Sequence, residues 1–210
     1  MTKIFMPCSS VGRGAVQFQQ AKQRRLDQME QWEDAPEPGT KWIPLTNGQR
    51  VTVDSADFEF LTQWNWAAMK GKKRGTWYAM RWDSQRRFIS LASVVIGIEP
   101  PLVADHVNHD TLDCRQSNLR PATFRQNIFN RSKRTGLTSK YKGVCWHKTK
   151  AKYICKIEVF DRSIHLGGFD SEDDAAQCYN DAATKHFGEF AFLNKIAGRC
   201  PSLDPAVLEE

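Results

Sequence analysis

The chain has 210 residues, 40% of them hydrophobic, a length that suits one large domain or two to three small ones. No apolar run approaches the roughly 20 residues of a membrane span, and residues 1–13 lack a long apolar stretch before a small-residue cleavage site, so neither a membrane partner nor a secretory signal is expected. The net charge of +6 is concentrated: Cys114–Ile157 holds twelve Lys/Arg and no Asp/Glu, leaving 18 basic and 24 acidic residues elsewhere, and such a segment suits a polyanion whose phosphates release counterions when neutralised.

Residues 14–34 carry good helix formers and no Gly or Pro, which predicts a helix with a thin apolar face (Val16, Phe18, Leu26, Met29, Trp32) inside an N-terminal extension over 1–36. Pro36-Glu37-Pro38-Gly39 closes it. Residues 41–97 read mainly as strands (WIPL, RVTV, TWYAMRW, FISLASVVI), with a hairpin turn at Asn47-Gly48, a short helix at about 54–63 and a basic loop at 70–74. After Pro100-Pro101, Leu102-Val103-Ala104 forms a short strand leading into Asp105-His106. Asn118-Leu119-Arg120 forms a second, and Thr123 caps a helix to about Arg131.

Residues 132–139 are a polar linker. Three strands follow at 141–147, 152–160 and 163–169, with a tight turn at Asp161-Arg162. A helix from about 172 to 187 comes next, with Ser171 at its N-cap and Gly188 at its end. Alternation places Tyr153, Cys155, Ile157 and Val159 on the face that meets the helix. Lys142, His147, Lys150, Lys156 and His165 then share the outward face. The helix beneath carries Glu172, Asp173, Asp174 and Asp181, so the basic face is the one for DNA. Residues 196–210 form a tail expected to be flexible. The cysteines Cys8, Cys114, Cys145, Cys155, Cys178 and Cys200 make no C-x-x-C pair, which fits a reducing cytosol and small apolar roles.

The chemistry-bearing cluster is Asp105-His106 at a strand end, Asn118 in the next strand and Asn127 on the helix. Phosphodiester hydrolysis needs a base for the attacking water, which neutral imidazole supplies near pH 7, and a cation on the scissile phosphate. A carboxylate and an amide oxygen are hard ligands suited to one Mg²⁺ or Mn²⁺ ion. The lack of Cys pairs gives no reason to expect zinc, and no small-molecule cofactor is implied.

The run D-H-V-N-H-D-T-L-D-C-R-Q-S-N-L-R-P-A-T-F-R-Q-N-I-F-N-R over 105–131 resembles the HNH endonucleases, in the phage and intron homing branch. More loosely, the resemblance extends back to Ile43. It implies Asp105 as a metal ligand, His106 as general base, Asn118 as the residue that orients it through the loop, and Asn127 as the second metal ligand. Asn130 and Arg131, one turn further on, would meet phosphate. Three positions depart from the pattern: His109 stands where Gly is usual, Cys114 where Asn is usual, and Ala92-Ser93 where a His-Arg pair falls in the preceding strand.

Residues 139–194, with Y-K-G-V, H-L-G-G-F-D and F-G-E-F-A-F-L-N, are similar to the plant ethylene-response-factor DNA-binding domain, a three-stranded antiparallel sheet on one helix. Lysine in place of arginine on its reading face implies looser base readout and more phosphate contact.

The expected architecture is therefore α+β. A nuclease domain spans 37–134, with a ββα-metal core at about 101–132, and a sheet domain spans 139–195. The expected function is a homing-type endonuclease of double-stranded DNA in the cytoplasm of a bacterial or phage-infected cell. The alternative is a non-catalytic DNA-binding protein with a degenerate nuclease unit, with an RNA-binding or structural role behind it.

Overall fold

A computed structural model describes residues 23, 27, 37–71, 75–133, 138–160 and 162–198. Of the sequence expectations, nearly all of the helix at 14–34, residues 72–74 of the basic loop at 70–74, part of the linker, Asp161 and the tail beyond 198 lie outside the described residues. The chain is mixed α and β, with several small antiparallel sheets and few helices. Among the described residues no helix is long and apolar enough to cross a membrane.

The chain divides into two compact units, one of residues up to Gly97 with Asp110–Arg120, the other of Ile98–His109 with Pro121 onward. In the first, β1 (Thr40–Pro44) pairs antiparallel with β2 (Arg50–Asp54), with Ile43 opposite Val51. The Asn47-Gly48 turn forms as expected: Gly48 takes φ +80°, and the Asn47 side chain accepts the Gln49 N–H at 3.2 Å. The alternation of β2 buries Val51 and Val53. They pack in a core with Leu61 of α1 (Ser55–Leu61) and Trp66, whose indole N–H donates to the Leu61 carbonyl at 2.9 Å. Strands β3 (Ala67–Lys70), β4 (Trp77–Trp82) and β5 (Phe88–Ser90) make a three-stranded antiparallel sheet.

One expected strand is cut short. FISLASVVI is β5 for three residues and then α2 (Leu91–Val95). Leu91 and Ala92 are buried there, so packing overrides the β-propensity of Val94 and Val95. Ala92 is therefore a buried helical residue rather than part of a strand.

Asp110–Arg120 packs on this unit. Thr52 N–H donates to the Leu112 carbonyl and Cys114 N–H to the Thr52 carbonyl, each at 2.8 Å. Arg115 bonds both carboxylate oxygens of Asp113 at 2.8 and 2.7 Å. Burial raises the Cys114 thiol far above its ordinary range, with Asp113 and Asp110 adding to the effect. It stays a neutral apolar filler.

The second unit holds β6 (Val103–His106) and α3 (Phe124–Phe129); β6 forms a two-stranded sheet with β7 (Leu119–Ala122), which runs from Arg120 of the first unit into Pro121 of the second. The expected cap is present: Thr123 accepts from the Gln126 N–H at 3.2 Å, and the Gln126 side chain accepts from the Thr123 N–H at 2.8 Å. Strands β8 (Val144–His147), β9 (Lys152–Val159) and β10 (Arg162–Phe169) form an antiparallel sheet in the order β10-β9-β8. The sheet packs on α4 (Glu172–Phe187). Its core joins Val144, Cys155, Ile157 and Val159 to Ala175, Tyr179 and Ala183, as the strand and helix periods require. Ser171 caps α4 at the Asp174 N–H. Gly143, at φ +78°, lies against the Tyr179 ring and the Lys156 carbonyl, where a Cβ would collide.

Candidate active site and nucleic-acid interface

Strand β6 delivers Asp105 and His106 into buried positions, 2% and 8% exposed. Asn130 receives them. It is the C-cap of α3, 5% exposed, and its side-chain amide donates to both Asp105 carboxylate oxygens at 3.0 Å and to the His106 carbonyl at 3.1 Å. The His106 carbonyl also accepts the His109 N–H at 3.1 Å, which closes the turn after the strand. One amide thus fixes the carboxylate and the backbone of the neighbouring histidine together.

Asn130 was expected to meet phosphate from the helix surface. The structure buries it against Asp105 instead, because the last turn of α3 faces β6. The available signal was its spacing, three residues after Asn127, which puts both amides near one helix face.

Asn127 is half-buried on α3 and makes no side-chain hydrogen bond to another described residue. Asn118, in the first unit, is buried and donates to the Asp113 carbonyl at 2.8 Å, tying Asp113 to Asn118 across the loop. His109 takes φ +67°, the left-handed region that glycine adopts freely and a histidine occupies at a cost. Its ring lies 5.3 Å from that of Phe192. His109→Gly is expected to raise stability by about 0.5–1 kcal/mol in urea unfolding. A loss of stability would show that the Phe192 contact outweighs the backbone relief.

The Asp105 carboxylate is followed directly in sequence by the His106 imidazole at the end of β6. Among the described residues no three His, Cys, Asp or Glu gather as a metal cage. A carboxylate is a hard ligand of the kind a divalent ion takes, with water and phosphate oxygens in the rest of its shell.

On the sheet, Lys156 and His165 are direct cross-strand partners and both are exposed. His147 and Lys150 are exposed at the β8–β9 turn, where the His147 Nδ1 accepts the Lys150 N–H at 3.3 Å. Arg131 is exposed beyond α3, its guanidinium 5.9 Å from the centre of the Phe124 ring. Lys142 departs from its expected place. β8 starts only at Val144, and Gly143 with its positive φ breaks the alternation, so Lys142 does not join the outward face. It is half-buried, and its ammonium donates to the carbonyls of Phe129 at 2.7 Å and Arg131 at 2.8 Å. Burial lowers its pKa to about 8, partly offset by Glu158.

The described elements thus define a mixed α/β chain with a buried Asp-His strand end held by an asparagine, and a separate three-stranded sheet bearing lysine and histidine. No family model matches the chain. A curated protein of Acanthamoeba polyphaga mimivirus, named as an uncharacterized HNH endonuclease, is 37% identical over 112 residues, 52% of this chain. The chain spans 56% of that relative's length.

Proposed function

We propose that the chain is a metal-dependent endonuclease of the HNH type, of the homing branch, that cuts double-stranded DNA. The observation that supports it most is the Asp105 carboxylate held by Asn130 beside His106 on one short strand end. The similarity to a protein named as an HNH endonuclease agrees with it. In this reading Asp105 and Asn127 hold one Mg²⁺ or Mn²⁺ ion. That ion, when bound, supplies charge for the scissile phosphate and the leaving oxygen. His106 takes the proton from the attacking water, and Asn118 orders the loop before β7. Arg131 contacts a flanking phosphate. The sheet holds the duplex through Lys156, His165, His147 and Lys150, chiefly by phosphate contact.

Incubation of supercoiled plasmid with Mg²⁺ or Mn²⁺ tests this. The wild type is expected to nick or linearise it, and Asp105→Ala to lose at least about tenfold in rate. Absence of nicking with either ion, or equal cutting by Asp105→Ala, overturns the proposal.

A second reading is a DNA-binding protein whose nuclease unit has decayed. Its support is the strained His109, the apolar Cys114 and the buried Ala92 at three positions where the motif usually has other residues. Tight, metal-independent duplex binding without nicking would select it.

A further inference from the structure

The geometry points to Lys142 as a positioning residue for the nuclease centre, through which the C-terminal sheet domain sets the end of α3 that holds Asp105. The inference rests on the nuclease reading above.

Lys142 grips the chain on both sides of Asn130, through the carbonyls of Phe129 and Arg131. Carbonyls in the last turn of a helix have no intrahelical partner, and a cation there complements both the free acceptors and the negative end of the helix. Between those two carbonyls stands Asn130, which donates to both Asp105 oxygens.

Lys142 is itself held from the sheet domain. Its N–H donates to Asn194 Oδ1 at 2.7 Å, and its carbonyl accepts from Asn194 Nδ2 at 3.0 Å. Asn194 is buried and pairs in turn with the buried Asn180 of α4: the Asn194 N–H donates to Asn180 Oδ1 at 2.7 Å, and Asn180 Nδ2 donates to the Asn194 carbonyl at 3.0 Å. Apolar packing follows the same route: the Phe129 ring stacks on Phe187 at 4.0 Å between centroids. A chain of hydrogen bonds therefore runs from α4 through Asn194 and Lys142 to the backbone on either side of Asn130, whose amide in turn holds Asp105. The same lysine has no reason to touch DNA while its ammonium is committed to two backbone carbonyls.

Comparison of Lys142→Met with wild type and Lys142→Arg separates this from the two simpler roles, a phosphate contact and a structural lysine. Plasmid nicking by Lys142→Met is expected to lose about tenfold or more in kcat. KM for DNA and the salt dependence of binding stay unchanged, and more Mn²⁺ is needed for half-maximal rate. Amide exchange over 124–131 is expected to accelerate by at least about tenfold, and Lys142→Arg, whose guanidinium can reach the same carbonyls, restores both readouts.

A raised KM with a salt slope shallower by about one and an unchanged kcat would make Lys142 a phosphate contact and overturn the proposal. Unchanged exchange in α3 would also overturn it. If wild type cuts nothing, the nuclease reading fails, and the exchange comparison still decides whether Lys142 sets α3. If Lys142→Met does not fold, Lys142→Gln, whose shorter amide cannot span both carbonyls, takes its place with the same outcomes.

Discussion

Replacing His106 by alanine is expected to slow plasmid cutting by roughly 10²- to 10⁴-fold and to leave duplex affinity within about twofold of wild type. The first figure equals roughly 3–5 kcal/mol of lost transition-state stabilisation. The His106 carbonyl helps to build the site, accepting from the Asn130 amide and from the His109 N–H. Alanine keeps that carbonyl and both bonds. The imidazole is the only part removed, so Asp105 and Asn130 keep their pairing.

The loss should therefore appear in kcat rather than in the metal or DNA concentration needed. It should also be partly reversed by millimolar imidazole, which returns a base of the same kind to the vacated space. Cutting that survives His106→Ala would take the proton-accepting role away from this residue. A variant that binds neither metal nor DNA would mean that the ring has a structural role.

The parts of this protein that local rules govern were readable from the sequence. Asn47-Gly48 makes its turn because only a few residues accept positive φ there. Thr123 and Ser171 cap helices because each precedes a run of unpaired N–H groups. Lys156 and His165 share a face because strand alternation is strict within β9 and β10 up to the bulge after His165.

What local rules could not reach was decided by long-range packing. Residues 91–95 hold β-branched side chains yet coil into α2, since two of them fill the first unit's core. Residues 110–120 lie on β2 through Thr52, a partner some 60 positions away in the chain. Lys142 was misplaced because a period of two was carried past Gly143, where the backbone changes hand. Asn130 looked like a surface residue because nothing in a helix's own sequence says which strand end it faces. At the candidate centre, then, residue types and order were legible, and the bonds that hold them were not.

Those bonds make the Asn130 amide the most consequential side chain not assigned by the motif. Asn130→Ala takes two hydrogen bonds from a carboxylate that is 2% exposed. Hydrogen bonds to a charged group are worth about 1.5–3 kcal/mol each. The two share a single donor nitrogen, so they do not add fully. A loss of about 3 kcal/mol in urea unfolding is expected, a large share of the 5–15 kcal/mol (roughly) that holds a domain together.

Asn130→Asp is expected to be worse at pH 7, because it sets a second carboxylate about 3 Å from the first and one of them must take a proton. In that variant the shared proton raises one carboxyl pKa in the folded state above its unfolded value. The folded state then binds more protons, so stability is regained as pH falls and lost as pH rises through the raised pKa.

The exchanged double variant Asp105→Asn/Asn130→Asp restores one amide facing one carboxylate. It is expected to recover more than half of the stability lost in Asn130→Asp, an interaction energy of about 2 kcal/mol between two touching sites. It is not expected to recover cutting, because the carboxylate then projects from α3 rather than from the strand end beside His106. Recovery of folding without recovery of activity would show that the pairing builds the site and that Asp105's position on β6 makes it work. An Asn130→Ala variant as stable as wild type would remove the pairing from both roles.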